Sequence, residues 1–430
     1  MNRSAFALIA ILVSGAVSAQ DLATDVDVRI RGIEQQIIDW RRHIHRNPEL
    51  SNREFKTAAY VAAHLEKLGM EVQTGIAHTG VVGTLKGGKP GPVVALRADM
   101  DALPVTEELD LPFRSTVRAE YLGQQVGVMH ACGHDAHVAI LMGVAEALAG
   151  VRKDLPGTVK FIFQPAEEGP PTGEKGGAPL MVEEGVLKDP RPDAIFGLHV
   201  IAGVPAGMLT YRPGPMMASA DWVYITVKGQ QTHGAWPWKG VDPVITSAQI
   251  LTGLQNIVAR QIDVSKEPAV VTIATIQGGT RKNIIPDKVE MSGTIRAFDD
   301  GMQKDIHDRI RHVARSIAQA NHAHAEVTID KAVPVTSNDP ALTERMLPTL
   351  RRIAGNEKAR LQARVMVAED FSYFQQEIPG MFYFVGITPP DQDPATAEPN
   401  HSPRFYIDER GLLVGARSLA ALAVDFLSGR

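Results

Sequence analysis

The spacing of apolar residues changes several times along the chain, and each change predicts an element. Ala58, Val61, Ala62, Leu65 and Leu68 recur at helical spacing, and Gly69 ends that helix. Pro92 to Arg97 is a short apolar run that predicts a strand, with Asp99 and Asp101 just beyond it. Ala136 to Leu148 reads as a helix, and Thr158 to Phe163 and Asp193 to Leu198 as strands. Strands separated by helices predict an α/β unit with a mostly parallel sheet covered by helices on both faces. Ligands bind such sheets beyond the carboxyl ends of the strands, and the polar clusters of this chain fall at those ends.

The pattern shifts near Pro215. Asp221 to Lys228 predicts a strand, Pro243 to Ala259 a helix, Ala269 to Gln277 and Lys288 to Phe298 strands, Met302 to Asn321 a helix and Ala325 to Lys331 a strand. The order β-α-β-β-α-β is that of a ferredoxin-like module, placed as an insert over residues 215–335. Residues 20–214 and 336–430 then form one domain around it, closing with the amphipathic stretch Gly411 to Leu427. The proline-containing run Pro389 to Pro399 reads as a surface loop.

Composition narrows the function classes. The chain has 430 residues, 44% hydrophobic and 22% charged, enough for a large core. A formal net charge of -5 gives no electrostatic footprint for nucleic acid or an anionic membrane. Arg3, the apolar stretch Ala5 to Val13 and the small residues up to Ala19 describe an export signal, residues 1–19, with cleavage expected after Ala19. The mature chain is then periplasmic or secreted, with no further segment long and apolar enough to span a bilayer. A single cysteine, Cys132, excludes an internal disulfide. A free thiol in an oxidising compartment is a liability unless buried or occupied, and a metal is one occupant.

Cys132 lies in H-A-C-G-H-D-A-H, His130 to His137. Gly133 lets the backbone turn so that Cys132 and His134 can face one point. Thiolate with imidazole suits zinc, and also manganese or cobalt; the alternative is a buried thiol beside surface histidines. Q-P-A-E-E-G, Gln164 to Gly169, follows a strand. In a tight loop there, Glu167 and Glu168 can reach one site as general base and ligand, whereas Glu183 and Glu184 read as a solvated face. His199 in F-G-L-H-V and His401 in P-N-H-S-P are weaker candidates alone. In R-A-D-M-D-A-L-P, Asp99 and Asp101 are either turn formers or groups that orient a ligating histidine.

H-A-C-G-H-D, R-A-D-M-D-A-L-P, Q-P-A-E-E-G, G-L-H and N-H-S-P together resemble the aminoacylase-type amidohydrolases of the M20 metallopeptidase family, with T-H-G-A-W-P, N-I-I-P and G-T-I-R matching in the insert. The resemblance implies two divalent metal ions (zinc or manganese, with cobalt a further option) held by Cys132, His134, Glu168, His199 and His401, with Cys132 as the bridge. It implies Glu167 as general base and Asp101 as the group orienting a ligand histidine. It also implies His233 as a residue reaching a neighbouring subunit's site to stabilise the oxyanion, hence a homodimer built through the insert. Asn283 and Arg296 match positions near a substrate carboxylate. The implied reaction is cleavage of an N-acyl amino acid to a carboxylic acid and a free amino acid. Activated water attacks the amide, and Glu167 relays the proton to the leaving amine.

One position departs from that pattern. Many relatives carry a histidine after the proline of T-H-G-A-W-P, where this chain has Trp238. Either Trp236 and Trp238 favour a bulky acyl group, or they pack at an interface. A dipeptidase or a deacetylase of one dedicated metabolite would use the same ligands, and a hydrolase with Cys132 as nucleophile would need no metal.

Overall fold

Four apolar runs lie side by side and parallel: Pro156–Gln164, Lys89–Asp99, Ala194–Pro205 and Gly380–Thr388. In this computed structural model, which describes residues 19–430, they form the middle of an eight-stranded sheet. Gly80–Lys86 and Glu71–Ile76 extend one edge in antiparallel fashion. Leu209–Tyr211 and Ala359–Leu361 extend the other. The expected export signal lies outside the described residues except for Ala19, which opens the helix Ala19–Gly32.

Side chains alternate between the two faces, as the pleat requires. Leu96, Phe161, Phe163, Phe196 and Leu198 join a core under helices Ala19–Gly32, Glu34–Arg46, Phe55–Lys67, His134–Gly150, Pro340–Ala354 and Arg410–Leu427. Ala95, Ile162 and Ile195 face the other way, onto Gly177–Glu183 and Ser372–Glu377. Helices on both faces explain why the central strands read as continuous apolar runs.

The insert forms its own four-stranded antiparallel sheet, in the order Ala269–Gly278, Lys288–Ala297, Ala220–Lys228, His324–Val333. Helices Pro243–Asn256 and Asp300–Ala320 cover one face over a separate core. Trp222 and Tyr224 stand exposed. The chain enters and leaves through the paired strands Gly214–Met217 and Thr336–Asn338. An ion pair between Glu267 and Arg364, 2.7 Å, ties the insert to the larger unit.

Some elements differ from the sequence expectation. The helix predicted to Ala259 ends at Asn256 and continues as a wider π turn, Ile257–Gln261. The edge strand Glu71–Ile76 escaped the pattern because most of its residues face solvent. The strand predicted to end at Leu198 runs to Pro205, so His199 lies inside it and not at its end.

Candidate metal centre

The cluster assembles at the carboxyl ends of the parallel strands. His134 is the first residue of the helix His134–Gly150, and Gly133 before it has φ +102. A Cβ on Gly133 would also lie 2.3 Å from Val200 Cγ2, so both backbone angle and space demand glycine. That turn presents Cys132 and His134 together. Cys132 Sγ lies 3.3 Å from His199 Nε2 and 3.2 Å from His401 Nε2, and His401 Nε2 lies 3.1 Å from Glu168 Oε1. Two triads result, Cys132–His134–His199 and Cys132–Glu168–His401, each with its donor atoms within 4.8 Å of one another. Cys132 belongs to both.

Tautomers follow from the neighbours. His199 Nδ1 donates to the Val200 carbonyl at 2.7 Å, which leaves the Nε2 lone pair facing Cys132. His137, although in the same motif, is spent: Nε2 accepts the Val200 N–H at 2.9 Å, so Nδ1 carries the proton that goes to Asp99 Oδ1 at 2.5 Å. Both ring nitrogens of buried His134 lack a hydrogen-bond partner, and the buried Oε1 of Glu168 has, among the described residues, only the His401 ring nitrogen at ion-pair distance. His134 Nδ1 is within ion-pair distance of Asp101 Oδ1, 3.3 Å, but poorly aligned for a hydrogen bond. Converging donor atoms, with both His134 nitrogens left unsatisfied, are what a cation would satisfy, and the thiolate–imidazole–carboxylate donor set suits a divalent transition metal.

Acidic surroundings set the electrostatics. Burial opposes the charge on His134, but Asp99, Asp101 and Glu168 outweigh it and push its pKa up to about 10. Burial, then Glu168, Glu167 and Asp99, hold the Cys132 thiol well above its usual range. A reactive cysteine nucleophile needs electropositive neighbours, and Cys132 has the reverse. Only a cation would make it a thiolate, by supplying the missing charge.

Behind the cluster, Asp101 accepts the backbone N–H of Glu167 on Oδ1 at 3.0 Å and that of Glu168 on Oδ2 at 3.1 Å. Burial, then Glu369, Glu168 and Asp370, raise the Glu167 pKa well above the usual range, as suits a proton carrier. Arg97 is fully buried and binds Asp99, Glu369 and Asp370 at 2.8 to 3.0 Å, with Gln164 at 2.8 Å. Asn400 donates to the carbonyls of Cys132 (2.9 Å) and Val200 (3.2 Å), fixing the loop that bears His401.

Sequence reasoning missed Arg97, Gln164, Asn400, Glu369 and Asp370. Asn400 stood inside a motif already singled out. Glu369 and Asp370 gave no signal, since acidic pairs are common; the exposed Glu183–Glu184 pair is one.

The remaining expected residues lie in the insert. His233 and Asn283 are exposed and adjacent, joined through Gly234 N–H to the Asn283 carbonyl at 2.8 Å. Arg296 is half-buried over the Trp222 ring, with one buried guanidinium nitrogen (Nη1) unpartnered. None of the three belongs to the metal-ligand triads. Trp236 packs tilted against His233, while Trp238 is 75% exposed.

The family model described as peptidase family M20/M25/M40 matches residues 95–425, which include all five ligand candidates. The chain belongs to this family. As an M20 chain it is a metal-dependent hydrolase, with the mixed α/β catalytic unit seen in its relatives. It is similar to thermostable carboxypeptidase 2 of Saccharolobus solfataricus, 42% identical over 94% of this chain and 99% of the relative. It is also similar to an N-acetylcysteine deacetylase of Bacillus subtilis, 38% identical over 92% and 98%. Among solved structures it resembles a dinuclear metal-binding M20 peptidase from Bacillus subtilis, 36% identical, with a TM-score of 0.76 over 92% of this chain and 99% of that one.

Proposed function

We propose that this M20 hydrolase holds two divalent metal ions, zinc or manganese, and cleaves the amide bond of N-acyl amino acids. The observation that carries the reading is the meeting of two candidate ligand triads at Cys132 beside the half-buried acid Glu167. The names of similar proteins, an N-acetylcysteine deacetylase and a carboxypeptidase, support a substrate in which the cleaved amide bears an amino acid.

Two divalent ions in these triads would polarise the scissile carbonyl and lower the pKa of a water molecule from ~16 to ~7. Glu167 takes the proton of the attacking water and delivers it to the leaving nitrogen. Asp101 holds the Glu167 backbone in place for both transfers. Arg296, with an unpartnered guanidinium nitrogen, recognises the substrate carboxylate, helped by Asn283. His233 stabilises the oxyanion of a neighbouring subunit's substrate, which makes the working form a homodimer joined through the insert. Residues 1–19 direct export, so the reaction takes place in the periplasm or outside the cell.

The 42% identity to a carboxypeptidase favours a second reading, removal of a C-terminal residue from short peptides. One experiment tests both: metal content and hydrolysis of N-acyl amino acids and of dipeptides with free α-amino groups, before and after chelation and metal restoration. Loss and recovery of N-acyl amino acid cleavage with the metal supports the first reading. Preference for free-amino dipeptides favours the second, and chelator-resistant activity removes both.

A further inference from the structure

We infer that Glu54 is a positioning residue for the loop that carries Glu167 and Glu168; the inference rests on the reading of those two as base and ligand. Glu54 is fully buried. Its Oε1 accepts the Ala166 N–H at 2.9 Å and its Oε2 accepts the Thr79 hydroxyl at 2.6 Å. Asp101 takes the next two N–H groups, of Glu167 and Glu168. Three consecutive backbone donors are therefore held by two buried carboxylates. Ala166 has φ +52, a left-handed conformation that alanine rarely adopts and that persists only where neighbours enforce it. Turning the backbone there lets Glu167 and Glu168, adjacent in sequence, both serve one site.

The rest of the same turn acts on the same segment. Ser51 donates to Asp101 Oδ2 at 2.7 Å, Asn52 donates to the Lys175 carbonyl at 2.9 Å, and Arg53 pairs with Glu174 at 2.6 Å. Side-chain capping of the following helix does not explain an acid at position 54. Glu54 precedes the helix Phe55–Lys67 but makes no side-chain cap to it. Among the described residues it forms no ion pair, and Arg53 beside it pairs with Glu174 instead. Burial and the nearby charge of Asp101 penalise its ionised form, raising its pKa to about 8. A fold indifferent to the loop would be better served by an apolar residue.

The test compares Glu54→Leu, which fills the space but accepts no hydrogen bond, with Glu54→Gln, whose amide oxygen can still accept from Ala166 and whose NH₂ can donate to Thr79. Each full-length variant is loaded with zinc or manganese. Affinity for the two ions is read by competition with a chromophoric chelator, and kcat and KM are read on an N-acetyl amino acid. Glu54→Leu is expected to weaken one of the two ions and to lower kcat by roughly 10–100-fold at little-changed KM, with Glu54→Gln restoring both. Wild-type affinity and kcat in Glu54→Leu would overturn the inference, as would a Glu54→Gln no better than Glu54→Leu. If Glu54→Leu does not fold, Glu54→Asp, one methylene too short to reach Ala166, is read by the same criteria. A wild-type protein that binds two ions but cleaves nothing would instead reject the proposed substrate, and the chelator competition would still decide the role of Glu54.

Discussion

Asp101 Oδ1 accepts the backbone N–H of Glu167 at 3.0 Å, while Oδ2 accepts that of Glu168 and the hydroxyl of Ser51. Every one of these partners is a donor. Asp101→Asn replaces one acceptor by an NH₂ group that faces donors, so the loop must shift. The expected result is a fall in metal affinity and in kcat, each by roughly 10–100-fold, read by chelator competition and steady-state kinetics. An unchanged Asp101→Asn would remove Asp101 from the site.

Glu167, the proposed general base, belongs to neither Cys132-centred triad. Glu167→Gln keeps the shape of the side chain and loses the proton acceptor. It is expected to retain full metal content by elemental analysis while kcat drops by about 10²–10⁴. Substantial turnover in the loaded variant would show that another group moves the proton.

The shared position of Cys132 predicts an unequal pattern of metal loss. Cys132→Ala cuts both triads, whereas His401→Ala cuts one and leaves Cys132, His134 and His199 together. After gel filtration, Cys132→Ala should emerge nearly metal-free and His401→Ala with about half the wild-type content. Equal stoichiometry in the two variants would contradict a bridging thiolate.

A buried network behind the candidate ligands, centred on Asp135 next to His134, predicts the pH dependence of stability. His45 Nδ1 meets Asp135 at 2.9 Å and Nε2 meets Glu107 at 3.2 Å, and Asp135 also binds buried Arg41 at 2.7 Å. Burial lowers the His45 pKa, but Asp135, then Glu107, raise it more, so the folded value lies above the unfolded one near ~6.5. The folded state therefore holds its proton more tightly. The stabilisation is complete below ~6.5 and is lost as pH rises through the raised folded pKa. Thermal melts of metal-stripped protein should lose Tm with rising pH more steeply in the wild type than in His45→Gln. Parallel curves would mean that His45 is neutral in the fold.

Many of the elements, the insert and the residue types of the candidate ligands were legible in the sequence by itself, though exposed strands such as Glu71–Ile76 were not. The legible features depend on local periodicity and on motifs such as H-A-C-G-H-D, whose spacing is short enough for the backbone to enforce. The motif singled out His134 over His137, and the physical ground for that choice lies in the fold: the Val200 amide, brought in by a distant strand, satisfies His137 and leaves His134 open. The tertiary structure alone decided that Cys132 touches both His199 and His401, which are 67 and 269 residues away in sequence. It alone set Arg97 against Glu369 and Asp370, and Glu54 against Ala166. The physical reason is burial. A carboxylate or imidazole acquires its role from the few groups that share its dry pocket, and the carboxyl ends of parallel strands gather those groups from segments that share no local pattern.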